Sequence, residues 1–318
     1  MIVTVTANPS LDRTVVLGTP LERGAVLRAT EATAEPGGKG VNVSRAVHAA
    51  GVPTLAVLPA SLADPVVTGL DRLGVVARPV PIGVAVRSNV TVTEPDGTTT
   101  KLNVPGAYLD SDERDALFEA VVAAASGADW VALCGSLPPG LDEDWYARLV
   151  RRLSGTRVAV DTSGPALAAV ATPGVGAALL KPNAEELGEL TGFDGVEAEK
   201  SAGAGDLGPV LVAATALQAS SGADVLATLG AAGALLVTSA GGWAAKPPKI
   251  VPRSTVGAGD CSLAGYLLAH RRGAGPGECL RSAVAYGAAA TSLPGTAVPR
   301  PDQVELDGVV LTALQSAP

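Results

Sequence analysis

The sequence predicts an α/β fold, with a mostly parallel central sheet carrying helices on both faces. Three observations lead there. Short apolar runs bounded by turn residues recur along the chain at 54–58 (TLAVL), 129–134 (DWVALC), 157–161 (RVAVD), 177–180 (AALL) and 224–229 (DVLATL). Between them lie segments with helical patterning, at 41–50, 111–125, 142–153 and 183–191. Finally, hydrophobic residues make up 47% of the 318 residues and aromatic ones only 3%, so the core is assembled from Val, Leu and Ala. Buried strands alternating with Ala-rich helices are what a parallel sheet covered on both sides requires. In such sheets ligands gather beyond the carboxyl ends of the strands, which tells us where to look for chemistry.

Composition excludes several classes of partner. The formal charge of −8 repels polyanions at long range, so neither nucleic acid nor an anionic membrane is expected as a partner. The scarcity of aromatic rings also leaves no stacking platform for single strands. Cys134, Cys261 and Cys279 show no CxxC spacing, and only two histidines are present, His48 and His270. No structural zinc or disulfide framework is expected, and a reducing cytoplasm is the natural location. The opening MIVTVTAN reads as a strand and not as a signal peptide, and no apolar run reaches about 18 residues.

One stretch breaks the βα rhythm. Residues 84–104 (VAVRSNVTVTEPDGTTTKLNV) alternate strictly around Pro95-Asp96-Gly97, a hairpin signal with Gly97 free to take positive φ. A three-residue loop sets Thr91 opposite Lys101 and Asn89 opposite Asn103. Arg87, Asn89, Thr91, Lys101 and Asn103 then share one face, and Val86, Val90, Val92 and Leu102 the other. The polar face is either a solvated surface or a lid over an anionic substrate. Segment 192–209 is rich in glycine and charge and reads as a surface connection.

Two glycine-rich motifs carry chemistry. Ser254-Thr255-Val256-Gly257-Ala258-Gly259-Asp260-Cys261 precedes a helical pattern in which Leu263, Leu267 and Leu268 recur. A glycine turn at a helix N-terminus gathers unpaired amides and the positive end of the dipole, which suits phosphate oxygens. Asp260 then stands in the first turn, placed either to complement the dipole or to take a proton from an attacking hydroxyl. The tetrad recurs at Gly203-Ala204-Gly205-Asp206, but no strand precedes it and Gly208-Pro209 comes directly after, so this copy is set aside, with Pro209 suited to opening a helix. The second motif, Pro36-Gly37-Gly38-Lys39-Gly40-Val41-Asn42-Val43-Ser44, opens a helix and offers Lys39 and Asn42 as donors to hydroxyl or phosphate oxygens.

These two motifs, in this order, resemble the paired signatures of the ribokinase-like, or PfkB, carbohydrate kinases. The likeness extends over nearly the whole chain through Asn8-Pro9-Ser10-Leu11-Asp12, Gly135-Ser136-Leu137-Pro138-Pro139-Gly140, Lys181-Pro182-Asn183-Ala184-Glu185-Glu186-Leu187 and Thr228-Leu229-Gly230-Ala231-Ala232-Gly233-Ala234. The resemblance implies a three-layer sandwich, one domain over residues 1–318, with a small β-sheet lid from segments near 11–35 and 84–106. It implies Asp260 as the base and Gly257, Ala258 and Gly259 as its anion hole. Asp12, Gly38, Lys39 and Asn42 correspond to sugar-binding positions. Asn183 and Glu186 correspond to an element organising water, Mg²⁺ and phosphate, while also suiting a helix cap and its partner at the third helical position. Lys181, Thr228, Gly230 and Gly233 fall on the ATP side.

Within such a family the acceptor is either a free sugar or a sugar phosphate. Arg87 and Lys101, with Asn89 and Asn103 beside them, supply the cations that a desolvated sugar phosphate needs, and Ser136 resembles a further acceptor contact. The resemblance therefore implies ATP and Mg²⁺ as cofactors and a ketohexose phosphate as acceptor. Fructose 1-phosphate ranks ahead of tagatose 6-phosphate and fructose 6-phosphate, and a homodimer through the lid fits an apolar hairpin face. A non-catalytic sugar-phosphate sensor is the reading of another class. A nicotinamide-dependent dehydrogenase is disfavoured because no GxGxxG comes after the first strand. Cys261 departs from the serine usual in that family position and leaves the anion-hole neighbourhood open.

Overall fold

A computed structural model describes residues 1–314. Ten strands form the main sheet: β1 (Ile2–Thr6), β4 (Thr54–Pro59), β5 (Ala77–Val80), β8 (Trp130–Cys134), β9 (Val158–Asp161), β10 (Leu179–Leu180), β11 (Asp224–Thr228), β12 (Ala234–Thr238), β13 (Gly241–Lys246) and β14 (Val310–Leu314). Their order is β14-β13-β12-β11-β10-β9-β8-β1-β4-β5, parallel from β11 to β5 and antiparallel through β12, β13 and β14. The parallel strands are short and buried on both faces, as β1 (IVTVT) and β8 (WVALC) illustrate with every residue buried.

Helices α1 (Lys39–Ala49), α9 (Ala258–Arg271) and α10 (Pro276–Thr291) cover one face. The other is covered by α3 (Ser111–Ala124), α4 (Trp145–Arg152), α5 (Gly164–Val170), α6 (Ala184–Thr191), α7 (Gly195–Gly203) and α8 (Gly208–Ser221). A smaller cluster under α2 (Pro65–Arg72) joins Leu58, Val66 and Leu70 to Leu11 and Val41. The result is the three-layer sandwich expected. Cys261 settles into the apolar layer between sheet and helices, where burial pushes its thiol up, so it acts as core packing behind the anion hole.

The remaining strands, β2 (Ser10–Leu17), β3 (Ala29–Gly37), β6 (Arg87–Thr93) and β7 (Thr99–Leu102), form a separate sheet in the order β3-β2-β6-β7. The hairpin register is the one expected, with Thr91 opposite Lys101, a turn closed by Gly97 N–H donating to the Glu94 carbonyl at 3.0 Å, and Gly97 at φ 89°. Two expectations are corrected. Helix α4 begins at Trp145, not 142, and the segment 192–209 holds helix α7. Its glycines and charges hid an Asp194 cap, which accepts from Glu197 N–H at 3.0 Å, and buried Ala198 and Ala202. Alanines packing at close range make a helix that a search for bulky apolar residues misses. Among the described residues no helix is long and apolar enough to cross a membrane.

Candidate active site

The carboxyl ends of β1, β8, β9, β10 and β11 open onto one edge, and the motif residues converge there. Gly257 takes φ 78°, a left-handed conformation open to glycine at little cost, and so turns the chain into α9 with the Ala258, Gly259 and Asp260 amides in its first turn. Asp260 is 7% exposed, and its Oδ2 accepts a 2.8 Å hydrogen bond from Asn42 Nδ2 on α1, 218 residues away. Burial, reinforced by the nearby charge of Asp161, raises the Asp260 carboxyl to about 6, while the Asn42 bond and the lysines pull the other way. A carboxylate titrating there is suited to accept a proton near neutrality.

No sequence motif singles out Asp161, yet it lies at the centre of the cluster. It ends β9, is fully buried, and accepts from Lys39 Nζ at 2.6 Å through Oδ1. Lys181 Nζ lies 3.0 Å from its Oδ2, close enough for an ion pair but off the line of a hydrogen bond. Burial works against the Asp161 charge, and the two lysines overcome it, holding the carboxyl below its ordinary value. Burial likewise opposes the charge on Lys39, and Asp161 keeps that ammonium firmly protonated. The available signal was positional: a buried strand ending in a carboxylate at the edge where α/β sheets bind ligands. Lys181 also reaches the anion hole, since a methyl group built on Gly259 would sit 3.4 Å from its Nζ.

Asn183 and Glu186 form a reciprocal capping box at the start of α6, each backbone N–H donating to the other's side chain at 2.8 Å. Desolvation raises the Glu186 carboxyl. Asn183 bridges to Thr228, and Gly230 opens a short 3₁₀ turn ahead of Gly233, so these residues line one loop cluster. Glu199 of α7 abuts Gly230, so the helix hidden in the sequence flanks this loop. Glu186 and Asn183 offer the oxygen donors that a hard cation accompanying nucleotide phosphates takes, directly or through water. Among the described residues there is no cluster of three acidic, histidine or cysteine side chains that would hold a metal by itself.

The second sheet closes the site from above. Asp12 on β2 accepts from Asn89 Nδ2 at 3.1 Å and from Ser10 Oγ at 2.7 Å, and its carboxylate lies so close over Gly37 that no side chain fits there. Gly38, the N-cap of α1, and Lys39 come directly after. Asn8 Nδ2 donates to Ser136 Oγ at 3.3 Å, tying the Asn8–Asp12 segment to the exposed Ser136. Lys101 and Asn103 are exposed, and among the described residues Lys101 has no ion-pair partner. The Arg87 guanidinium donates to the carbonyls of Val104 (2.9 Å), Asn8 (3.2 Å) and Pro9 (3.4 Å), fastening the second sheet to the Asn8–Pro9 segment. Three carbonyls at the sheet junction need donors, and the planar fork of arginine supplies them at once.

The model of the pfkB family of carbohydrate kinases matches residues 6–303. The chain belongs to that family. The kinase is 37% identical to 1-phosphofructokinase of Rhodobacter capsulatus, over 95% of this chain and 94% of that one. It is 35% identical to the ATP-dependent 6-phosphofructokinase isozyme 2 of Escherichia coli strain K12, over 93% and 94%. The crystal structure of phosphofructokinase-2 from Escherichia coli in complex with substrates and products superimposes with a TM-score of 0.84 at 33% identity, covering 95% of the kinase and 96% of that chain. These matches span both sheets.

Proposed function

We propose that this kinase transfers the γ-phosphoryl group of ATP to the C6 hydroxyl of fructose 1-phosphate, giving fructose 1,6-bisphosphate and ADP. The observation that carries the reading is the buried Asp260 carboxylate, held by Asn42 beside the amides of Gly257 and Gly259 at the start of α9. Asp260 accepts the hydroxyl proton as O6 forms its bond to the γ-phosphorus and the bond to the β-phosphate oxygen breaks. The amides at the start of α9 and the ammonium of Lys181 meet the charge on the transferring group, in a position fixed before reaction. Mg²⁺ bound with ATP would neutralise phosphate charge, with Glu186 and Asn183 as the oxygen donors facing it.

Acceptor choice rests on the second sheet. Asp12 fits a sugar hydroxyl, and Lys101 with Asn103 on the same face fits the existing phosphate. The block Ser254–Asp260, the Ala245-Lys246-Pro247-Pro248 segment and the NPSLD start favour fructose 1-phosphate. The near-equal identity to a 6-phosphofructokinase favours fructose 6-phosphate as the second reading. The exposed apolar side of the second sheet, with Leu102 and its half-buried neighbours Val90 and Val92, suits a homodimer through the lid. Comparing kcat/KM for fructose 1-phosphate, fructose 6-phosphate and tagatose 6-phosphate tests the choice. Fructose 1-phosphate is expected to lead, and a tenfold advantage for either of the others overturns it. Binding with no ADP release for any of the three would move the chain to the sensor class.

A further inference from the structure

Asn42 can serve Asp260 only if its amide points the right way round. With Nδ2 toward the carboxylate it donates; turned by half a rotation it presents Oδ1, and two oxygens repel. The 2.8 Å bond from Nδ2 shows the productive orientation, and what enforces it lies one turn further along α1. Arg45 is 7% exposed, unusual for a guanidinium, and its Nη1 donates to Asn42 Oδ1 and to the Pro36 carbonyl, each at 3.4 Å. Its Nη2 pairs with Glu35 Oε2 on β3 at 3.3 Å, and the same carboxylate oxygen accepts from the Thr296 hydroxyl beyond α10. Arg45 thus has one hand on the amide and the other on an anchor that spans strand β3 and the segment after α10. Nothing in the phosphoryl transfer described above uses this buried cation.

We propose that Arg45 is a positioning residue that locks the Asn42 amide so that it donates to the catalytic carboxylate, with Glu35 and Thr296 holding the guanidinium in register. This inference rests on the assignment of Asp260 as base. A carboxylate that loses a hydrogen-bond donor holds its proton more tightly, so disturbing Arg45 moves the acid limb of the rate profile to higher pH. The other charged and titratable groups facing Asp260 stay in place: Lys39 from α1, Asp161 from β9, Lys181 after β10, the Cys134 thiol on β8 and the Cys261 thiol on α9. Arg45 also carries a positive charge, and losing it would raise the Asp260 carboxyl through space, so the route through Asn42 must be separated from bare electrostatics.

The pH profile of kcat/KM for Arg45→Met, Asn42→Ala and the double variant makes that separation. The acid limb of the unaltered kinase is expected near 6, where burial sets the Asp260 carboxyl. In Arg45→Met it is expected to move up by about one unit, lowering kcat/KM about tenfold on the acid side and much less on the alkaline side. In the Asn42→Ala background, Arg45→Met is expected to move the limb only by the smaller through-space part, because there is no amide left to orient. An unshifted limb in Arg45→Met overturns the proposal, as does an equal shift with and without Asn42. If Arg45→Met fails to fold, Glu35→Gln at the half-exposed anchor gives the same test: a smaller shift in the same direction supports the proposal, and an unaltered limb overturns it. Asp260→Asn, run alongside, keeps the two readings apart, since normal turnover there removes the base assignment itself.

Discussion

The tetrad Gly-Ala-Gly-Asp occurs twice in this chain, and the two copies fold in opposite senses. At 257–260 it opens a helix: Gly257 is the N-cap, and the aspartate lies in the first turn of α9, buried against Asn42. At 203–206 it closes one: α7 ends at Gly203, Gly205 turns the chain at φ 101°, and the exposed Asp206 accepts from Gly208 N–H at 2.9 Å, steering the chain into α8 with Pro209 at its start. The first copy therefore directs free N–H groups outward at the positive end of a long buried helix. The second sits where carbonyls of a short surface helix terminate. Four residues do not make an anion hole; the helix they open makes it. Leu263, Leu267 and Leu268 bury α9 from its first turns onward, whereas Gly205 in the left-handed conformation stops α7 and Gly208 and Pro209 open α8.

The sharpest way to break this contrast is to remove each aspartate in turn. Asp260→Ala is expected to lower kcat by about 10³-fold with ATP affinity preserved, as loss of a general base does. Asp206→Ala is expected to leave turnover unchanged and stability within about 0.5 kcal/mol. Steady-state kinetics on the pair decides it, and equal effects would end the kinase assignment.

Next in size is Asp161→Asn. The 257–260 copy is served by Lys181 and Lys39, which converge on one buried carboxylate. Removing that charge leaves Lys181 buried beside a second ammonium, so a loss of about 3–5 kcal/mol in a denaturant titration is expected, together with reduced turnover. A variant as stable as the parent would mean that the lysines find other partners, and that Asp161 does not organise the site.

The smallest effect is expected at the lid. Lys101→Ala should raise KM for the sugar phosphate about fivefold, about 1 kcal/mol, because an exposed lysine is partly screened. Its kcat and the KM for ATP should hold. An unchanged KM for sugar phosphate would show that the polar face of the hairpin is a solvated surface, no more tied to the first tetrad than to the second.

Legibility in the sequence varies with range. The hairpin at 84–104 is legible to the residue, because alternation and a Pro-Asp-Gly turn settle register within a few positions. The Asn183–Glu186 cap is equally plain, its partners being three residues apart. For Arg87 the alternation gives the right strand, but no local pattern reveals that the Asn8, Pro9 and Val104 carbonyls surround its guanidinium. Helix α7 escapes the sequence pattern because its packing rests on alanine and glycine, whose small size matters only against the particular neighbours in α6.

By itself, then, the amino-acid order made legible the alternation of strands and helices apart from α7, the Pro-Asp-Gly turn, the helix starts other than that of α4, and the residue types able to hold phosphate, all of which depend on backbone preference over a few positions. The folded arrangement alone decided that Asp161 joins lysines 122 and 20 positions away, and that Asn42 meets Asp260 across 218. The reason is physical: charge pairing and desolvation depend on distances in space and on the exclusion of water. Those exist only once the parallel strands have aligned their carboxyl ends at one edge.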